Sequence, residues 1–198
     1  MSSRPRSRSV VVATRNRHKL AELGQILDGV ELLPLPAEVV LPPEDGTTFA
    51  ANALTKARAA WAATGLAAIA DDSGIEAAAL GGRPSIHSAR YAAPDATDEE
   101  NLELLLAELR DQPDRSVAYV CAMAYVATDG AETIREARCE GTFAEVPRGT
   151  GGFGYDPAFV PAALGDGRTM AELSEAEKHA ISHRGQAARA IAPTMEGA

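Results

Sequence analysis

The sequence predicts an α/β protein built on a mixed β-sheet. Short β-branched apolar runs alternate with helix-spaced segments over the first half of the 198-residue chain, a pattern typical of parallel strands connected by helices. In the second half, two long strand-like segments at 116–128 and 132–143 flank the turn dipeptide Asp129-Gly130, and this arrangement predicts an antiparallel hairpin. Parallel and antiparallel strands in one chain indicate a mixed sheet.

The first half is predicted to hold three strands and three helices. In chain order they are a strand at 9–14, a helix at 16–27, a strand at 30–35, a helix capped by Thr48 and stopped by Gly65, a strand at 66–70 and a helix opened by Thr97. Val10 to Val12 form a continuous apolar run, as in a strand buried on both faces. Thr97 precedes Glu100 by three residues, the spacing of a capping box.

The second half adds a glycine-rich loop at 149–157 and a helix from about Glu175 to Ile191 that Pro193 is expected to stop. The predicted organisation is a disordered basic leader at 1–8, a single α/β domain at 9–192 and a C-terminal tail at 193–198. The sequence shows no internal repeat, and no linker divides the predicted domain.

The charge balance excludes several functions. Residues 10–198 hold 16 basic and 28 acidic side chains, a net charge of −12, so binding to long nucleic acid through the general field is not expected. No apolar run reaches the roughly 18 residues of a membrane span, and none is typical of a signal peptide. Two widely spaced cysteines, Cys121 and Cys139, indicate reduced thiols and a cytoplasmic protein.

The first candidate site is TRNRHK, which runs from Thr14 to Lys19 where the first strand meets the first helix. Backbone N–H groups at a helix N-terminus bind phosphate, and the Thr, Asn and Lys side chains add donors and a charge. The chain has only three lysines, Lys19, Lys56 and Lys178, against 16 arginines, so each lysine is a candidate point charge for a phosphate. An ordinary helix start remains the alternative.

The second candidate is acidic: Glu44 lies in a proline-rich loop, and Asp71 and Asp72 end a buried strand just before Ser73. Adjacent carboxylates on a strand point to opposite sides, so at least one can face a ligand beyond the sheet edge. Mg²⁺ suits such a site because it takes one or two carboxylates and completes its shell with water and phosphate oxygens. An Asx turn that closes the strand is the alternative.

The third candidate is the loop from Gly149 to Pro157. Its glycine spacing matches a dinucleotide fingerprint, but Pro157 prevents the helix that this fingerprint requires. We expect the loop instead to display Phe153 and Tyr155 for stacking on a planar base.

The fourth candidate is EKHAISHRGQ, residues 177–186. Lys178 and Ser182 are predicted to share one helical face, and His179 and His183 another. The histidine pair lacks the glutamate of a metalloprotease motif, so zinc is not favoured. Ser182, His183 and Arg184 offer hydrogen-bond donors that could read carbonyl oxygens on a ligand, while a charged helix surface is the alternative.

Taken together, these segments resemble the inosine triphosphate pyrophosphatase family, also called dITP/XTP pyrophosphatases. The resemblance runs from about Val10 to Ala190, and six motifs occur in order: TRNRHK, FAANALTKA, ADDSG, GGRPSIHSARY, GTGGFGYDP and ISHRGQA. It implies an elongated α/β fold with a central mixed sheet flanked by helices, two lobes with an active-site cleft between them, and a homodimer. It also implies Mg²⁺-dependent hydrolysis of a non-standard purine nucleoside triphosphate (ITP, dITP or XTP) to the monophosphate and pyrophosphate.

The resemblance also implies residue roles. Asp72 would be the proton acceptor, and the metal would be bound by Glu44 and Asp72 with support from Asp71. The implied substrate-binding residues are Thr14, Arg15, Asn16, Arg17, His18, Lys19, Lys56, Ser73, Phe153, Gly154, Tyr155, Asp156, Lys178, His183 and Arg184. Two other functions stay open: a nucleotide-binding regulatory protein on the same scaffold, and a pyrophosphatase for modified pyrimidine triphosphates.

Overall fold

The predicted mixed sheet is confirmed. A computed structural model describes residues 9–196, so the predicted leader at 1–8 and the last two residues lie outside the described residues. Within the described part, six strands follow the order β2-β1-β3-β4-β5-β6. Strand β1 pairs in parallel with β2 and β3, and β5 pairs antiparallel with β6. The strands are β1 Ser9–Val12, β2 Glu31–Pro34, β3 Ala68–Ala77, β4 Ser116–Val126, β5 Glu132–Phe143 and β6 Phe159–Pro161.

The predicted helix starts are confirmed by their caps. The helices are α1 Arg17–Ile26, α2 Phe49–Thr64, α3 Asp98–Leu109, α4 Glu175–Ile181 and α5 His183–Glu196. Thr48 accepts a hydrogen bond from the Ala51 N–H, and α2 ends at Gly65 in the left-handed conformation. Thr97 and Glu100 form the predicted capping box of α3.

The third strand is longer than predicted. It continues through Asp71 and Asp72 to Ala77, so the expectation that these aspartates end the strand is wrong. Ile75 and Ala77 are fully buried, and their burial offsets the low strand propensity of the acids. The two carboxylates therefore lie inside β3 and not at its end.

The C-terminal helix also departs from the prediction. Ser182 is extended and separates α4 from α5, because its Oγ accepts a hydrogen bond from the Gly185 N–H at 3.1 Å and so caps the second helix. A Cβ at position 185 would lie 2.0 Å from the His179 carbonyl oxygen, so only glycine fits there. Lys178 and Ser182 consequently do not share one continuous helix face, and neither do the two histidines.

Pro193 does not stop α5, and residues 193–196 of the predicted tail belong to this helix. Proline removes one backbone donor near the helix end, while Ile191 and Met195 on either side remain buried. Burial of these side chains offsets the lost hydrogen bond.

Two compact units divide the chain. The first comprises residues 9–72, Ala122–Arg135 and 187–196, and the second comprises Ser73–Cys121 and Glu136–Gln186. Each of the four crossings falls inside β3, β4, β5 or α5, so no linker separates the units. The prediction of a single domain at 9–192 stays a prediction.

Each unit has buried apolar side chains. In the first, Val10, Val12, Leu23 and Ile69 are almost fully buried. The core of the second unit includes Ile75, Leu105, Phe143, Phe159 and Met170. Cys121 and Cys139 are buried, and neither forms a disulfide within residues 9–196, in agreement with the expectation of reduced thiols. None of the helices found in residues 9–196 is long and apolar enough to cross a bilayer.

Candidate active site

Lys56 is the centre of an acidic cluster in the first unit. Helix α2 carries this lysine, which is only 7% exposed. Its Nζ donates to a Glu44 carboxylate oxygen and, at 2.7 Å, to the Asp71 carbonyl oxygen; it also lies 3.9 Å from Asp72 Oδ1. Burial lowers the pKa of Lys56, but Asp71, Glu44 and Asp72 together outweigh that effect and raise it above its ordinary value. The ammonium therefore stays charged and holds the acids together.

Asp72 is a buried carboxylate in the middle of β3. One oxygen, Oδ2, accepts a hydrogen bond from the Asn52 side-chain amide at 2.9 Å, and the other faces Lys56. Burial raises the pKa of Asp72 above its ordinary value, while Lys56 acts in the opposite direction. A carboxylate in this setting can accept a proton more readily than an exposed one.

Asp71 uses a different lysine. Lys19 Nζ lies 3.0 Å from Asp71 Oδ2, whereas Lys56 Nζ donates to the backbone carbonyl oxygen of Asp71 at 2.7 Å. The neighbouring aspartates thus pair with separate cations, in agreement with the alternation of side chains along a strand.

The TRNRHK segment caps α1 as predicted. Asn16 Oδ1 accepts hydrogen bonds from the backbone N–H groups of His18 and Lys19 at 2.9 and 3.1 Å, and Thr14 Oγ1 accepts from the Asn16 N–H. Arg17 and His18 are exposed. The Asn16 side chain therefore already pairs with two of the backbone N–H groups that were predicted to bind phosphate.

Arg15 has an unexpected partner set. Its guanidinium donates to the carbonyl oxygens of Leu35, Pro36, Ala37 and Val39, at distances from 2.6 to 3.2 Å. These carbonyls begin the loop that leads to Glu44. The contacts favour a role for Arg15 in holding this loop, although the predicted substrate contact stays a prediction.

The donor set fits a hard metal ion bound by few protein ligands. No group of three or more His, Cys, Asp or Glu side chains in residues 9–196 is arranged to hold a metal. Glu44 and Asp72 nevertheless approach the same ammonium, Lys56. Two carboxylates suit Mg²⁺, which needs only one or two protein carboxylates.

A second cluster, in the second unit, surrounds the ring of Phe153. Lys178 Nζ lies 4.9 Å and Arg184 Cζ 5.7 Å from the ring centroid, both within cation–π range. Phe153 is partly exposed, whereas Lys178 and Arg184 are buried. The arrangement presents an aromatic surface bordered by hydrogen-bond donors.

Asp156 holds this second cluster together. Its Oδ2 accepts hydrogen bonds from the Phe153 N–H at 2.9 Å and from Lys178 Nζ at 2.7 Å. Its Oδ1 accepts one from the Tyr119 hydroxyl at 3.0 Å. The carboxylate is 3% exposed, so these contacts favour a role for Asp156 in orienting Lys178 and the loop.

Tyr119 also orients a predicted ligand-binding residue. Its ring stacks on His183 with a centroid distance of 4.6 Å and on Phe159 at 4.4 Å. Burial, followed by the charge of Asp156, raises the pKa of Tyr119 well above its ordinary value, so the hydroxyl remains a donor. Arg184 reaches Ser73 in the same unit, with Nη2 2.9 Å from Oγ.

Two expectations about the glycine loop have different outcomes. Residues 149–157 form bends and turns that lead into β6, so this loop opens no helix, as predicted. The expectation that Tyr155 is displayed is wrong, because its ring is 5% exposed and its hydroxyl donates to the Ser88 carbonyl oxygen. Tyr155 belongs to the core of the second unit. Gly154 donates its N–H to Asp98.

Asn52 and Tyr119 contact the predicted site residues but were not themselves predicted from the sequence. Asn52 lies in FAANALTKA, four residues before Lys56, and an amide so close to a buried lysine on one helix face was the available signal. No signal near Tyr119 indicated its hydroxyl's partner, which lies 37 residues away.

The fold and these clusters define an α/β protein with a carboxylate site suited to a hard cation and an aromatic site suited to a planar ring. The chain belongs to the Ham1 family, whose family model matches residues 10–194. It is 52% identical over 195 residues to a dITP/XTP pyrophosphatase of Mycobacterium tuberculosis, covering 94% of each chain.

Solved structures agree. A HAM1 protein from Coxiella burnetii has a TM-score of 0.85 and 41% identity, with 96% of this chain and 100% of that chain covered. A nucleoside-triphosphatase / dITP/XTP pyrophosphatase from Mycobacterium abscessus has a TM-score of 0.74 and 47% identity, with 93% and 99% covered. The family resemblance and the α/β fold class are thereby confirmed.

Proposed function

We propose that the protein is a nucleoside triphosphate pyrophosphatase that hydrolyses ITP, dITP and XTP to the monophosphate and pyrophosphate, and so removes non-standard purines from the nucleotide pool. The observation that carries the proposal is Asp72, a buried carboxylate held by Asn52 and Lys56 beside Glu44. The name of the M. tuberculosis relative supports the substrate class.

The phosphate end of the substrate is assigned to Lys19 and the residues around it. Lys19 lies at the start of α1 and supplies a point charge to the triphosphate, with Thr14, Asn16, Arg17 and His18 around it. The ammonium of Lys56 holds the carboxylates and lowers the repulsion that they exert on an incoming polyanion. Arg15 keeps the Glu44 loop in place.

Asp72 is the general base. It accepts a proton from the attacking water, the water oxygen bonds to the α-phosphorus, and the bond from that phosphorus to the bridging oxygen breaks to release pyrophosphate. Glu44 and Asp72 would hold Mg²⁺, with Asp71 in support, and the ion would supply charge stabilisation for the phosphate oxygens. The raised pKa of Asp72 supports the proton-accepting role.

The base end of the substrate is assigned to Phe153 and the donors around its ring. Phe153 stacks on the purine, and Lys178, His183 and Arg184 donate to its carbonyl oxygens, with Ser73, Gly154, Tyr155 and Asp156 completing this end. Hypoxanthine has an oxygen at the six-position where adenine has an amino group, so a set of donors accepts hypoxanthine and leaves a donor facing the amino group of adenine. A base without the matching carbonyl oxygens leaves buried donors unpaired, and this cost makes a polar site selective.

A panel of nucleoside triphosphates with Mg²⁺ tests the proposal when pyrophosphate and phosphate are assayed separately. Pyrophosphate from ITP and XTP, with little from ATP or GTP, is the expected result. Binding of ITP without turnover would indicate a nucleotide-binding regulatory protein, and turnover limited to modified pyrimidine triphosphates would indicate the other enzymatic function.

The remaining parts of the proposal concern the enzyme's state and place. Activity is proposed to need Mg²⁺, with EDTA abolishing it and added Mg²⁺ restoring it. The enzyme is proposed to act in the cytoplasm as a homodimer, without binding to nucleic acid polymers or membranes, and sedimentation analysis of the purified protein tests its oligomeric state.

A further inference from the structure

Asn52 links the Glu44 loop to Asp72. The side chain is 2% exposed, and both of its polar atoms are used. Oδ1 accepts the Gly46 backbone N–H at 2.8 Å, and Nδ2 donates to Asp72 Oδ2 at 2.9 Å. The orientation of the amide follows from chemistry, because a carboxylate oxygen can only accept and a backbone N–H can only donate.

The hydrogen bond between Gly46 and Asn52 depends on the absence of a side chain at residue 46. A Cβ on residue 46 would lie 2.5 Å from Asn52 Oδ1 and 3.1 Å from the Ala51 Cβ. Only glycine lets the loop backbone come near enough for the hydrogen bond. Glu44, two residues earlier, is thereby placed beside Lys56.

We infer that Asn52 is a positioning residue for the reaction, a role that rests on the proposed function. Through Nδ2 it fixes the rotation of the Asp72 carboxylate. Oδ2 stays hydrogen-bonded to the Asn52 amide, and Oδ1 therefore stays directed toward Lys56. Through Oδ1 it holds the loop that carries Glu44. One buried amide therefore sets the separation of the two carboxylates that the mechanism uses.

The replacement Asn52→Asp tests the half of this role that concerns Asp72. Aspartate has nearly the same shape and keeps an acceptor for the Gly46 N–H, but it replaces the donor to Asp72 with a second acceptor. We expect kcat for ITP to fall about 10- to 100-fold, the usual effect of losing a group that orients a ligand or base, while KM for ITP changes less than about threefold.

Gly46→Ala tests the loop half. The added methyl group would displace Asn52 Oδ1, so we expect a loss of kcat in the same direction but smaller than for Asn52→Asp. Gly24→Ala in α1 is the matched control, because no atom lies within 4 Å of its added Cβ.

Asn101→Asp is the control for Asn52→Asp. Asn101 is equally buried, accepts from the Ala92 N–H at 2.9 Å and donates to the Ala89 carbonyl oxygen at 3.2 Å. Its replacement should leave kcat per folded molecule near the wild-type value. An equal loss of kcat in this control, or a kcat within about twofold of wild type for Asn52→Asp, would overturn the inference.

A measurement without turnover keeps the inference testable if a variant fails to fold. The chain has three asparagines, Asn16, Asn52 and Asn101, so selective ¹⁵N-asparagine labelling gives three side-chain amide signals. We expect the Asn52 amide to exchange slowly with solvent and to shift in Asp72→Asn while the Asn101 signal does not. Fast exchange, or no shift, would contradict the role even if the wild-type enzyme released no pyrophosphate from ITP.

Discussion

The two clusters are built from opposite charge arrangements. In the first unit, three carboxylates share two lysines: Glu44 and Asp72 approach Lys56, and Asp71 pairs with Lys19. In the second unit, one carboxylate, Asp156, collects donors from Tyr119, Phe153 and Lys178. The excess of acid suits a hard cation and proton transfer, whereas the excess of donors suits a neutral ring with carbonyl oxygens.

The two clusters should also respond differently to the removal of one side chain. The acidic cluster depends on charge balance, so removal of one member should disturb chemistry or folding strongly. The aromatic cluster depends on contact and hydrogen bonding, so removal of one member should change affinity and selectivity.

Asp72→Asn should have the largest effect. The amide keeps the shape of the side chain but cannot accept the proton, so kcat for ITP should fall by about 10² or more. Steady-state assays at saturating Mg²⁺ measure the change, and Asp166→Asn, at an exposed ion pair with Arg168, is the control. Near-normal turnover in Asp72→Asn would falsify the general-base assignment.

Lys56→Met should lower stability most. Methionine keeps much of the volume but leaves Glu44 and Asp72 without the ammonium between them, so the free energy of unfolding should fall by about 3–5 kcal/mol. Urea denaturation measures it. Arg58→Met, two residues along α2 at an exposed ion pair with Glu132, should cause no measurable loss; equal losses in both variants would contradict the role given to Lys56.

Arg184→Ala and Phe153→Ala should separate selectivity from affinity. Loss of the Arg184 donor should reduce the ratio of kcat/KM for ITP to that for ATP by about 10-fold or more, as expected for a charged hydrogen bond. Loss of the Phe153 ring should weaken all purines alike, by about 1–3 kcal/mol of stacking. If Arg184→Ala lowers kcat/KM for both nucleotides equally, donor matching by this residue is not the source of specificity.

Tyr119→Phe should have the smallest effect. The ring keeps its stacking on His183 and Phe159, and only the hydrogen bond to Asp156 is lost, at a cost of about 1–2 kcal/mol in the free energy of unfolding. KM for ITP should rise modestly while kcat stays near the wild-type value. A large fall in kcat with unchanged KM would contradict the view that the aromatic cluster serves affinity and selectivity.

Local sequence signals predicted much of the fold. Thr48 and Gly65 bound α2, Thr97 and Glu100 begin α3, and Asp129-Gly130 marks the turn between β4 and β5. Each of these signals acts within about four residues, because a cap or turn satisfies backbone groups that are its own neighbours. Asn16 was correctly predicted at a helix start for the same reason, since it caps N–H groups only two and three residues away.

Two of the errors share one cause. Asp71 and Asp72 suggested a strand end, but the burial of Ile75 and Ala77 extends β3 beyond them. Tyr155 suggested a displayed ring, but the ring is buried and its hydroxyl donates to the Ser88 carbonyl oxygen. In each case tertiary packing decided between two conformations that the local sequence allows.

By itself, the sequence determined the α/β class, the helix caps, the family and the residue types available for chemistry, because these depend on composition and on spacings of a few residues. Only the tertiary structure decided which polar groups meet. Asn52 lies 20 residues from Asp72, and Tyr119 lies 37 from Asp156. A hydrogen bond requires its partners to be within about 3 Å, and at such separations the packing of whole strands and helices sets that distance.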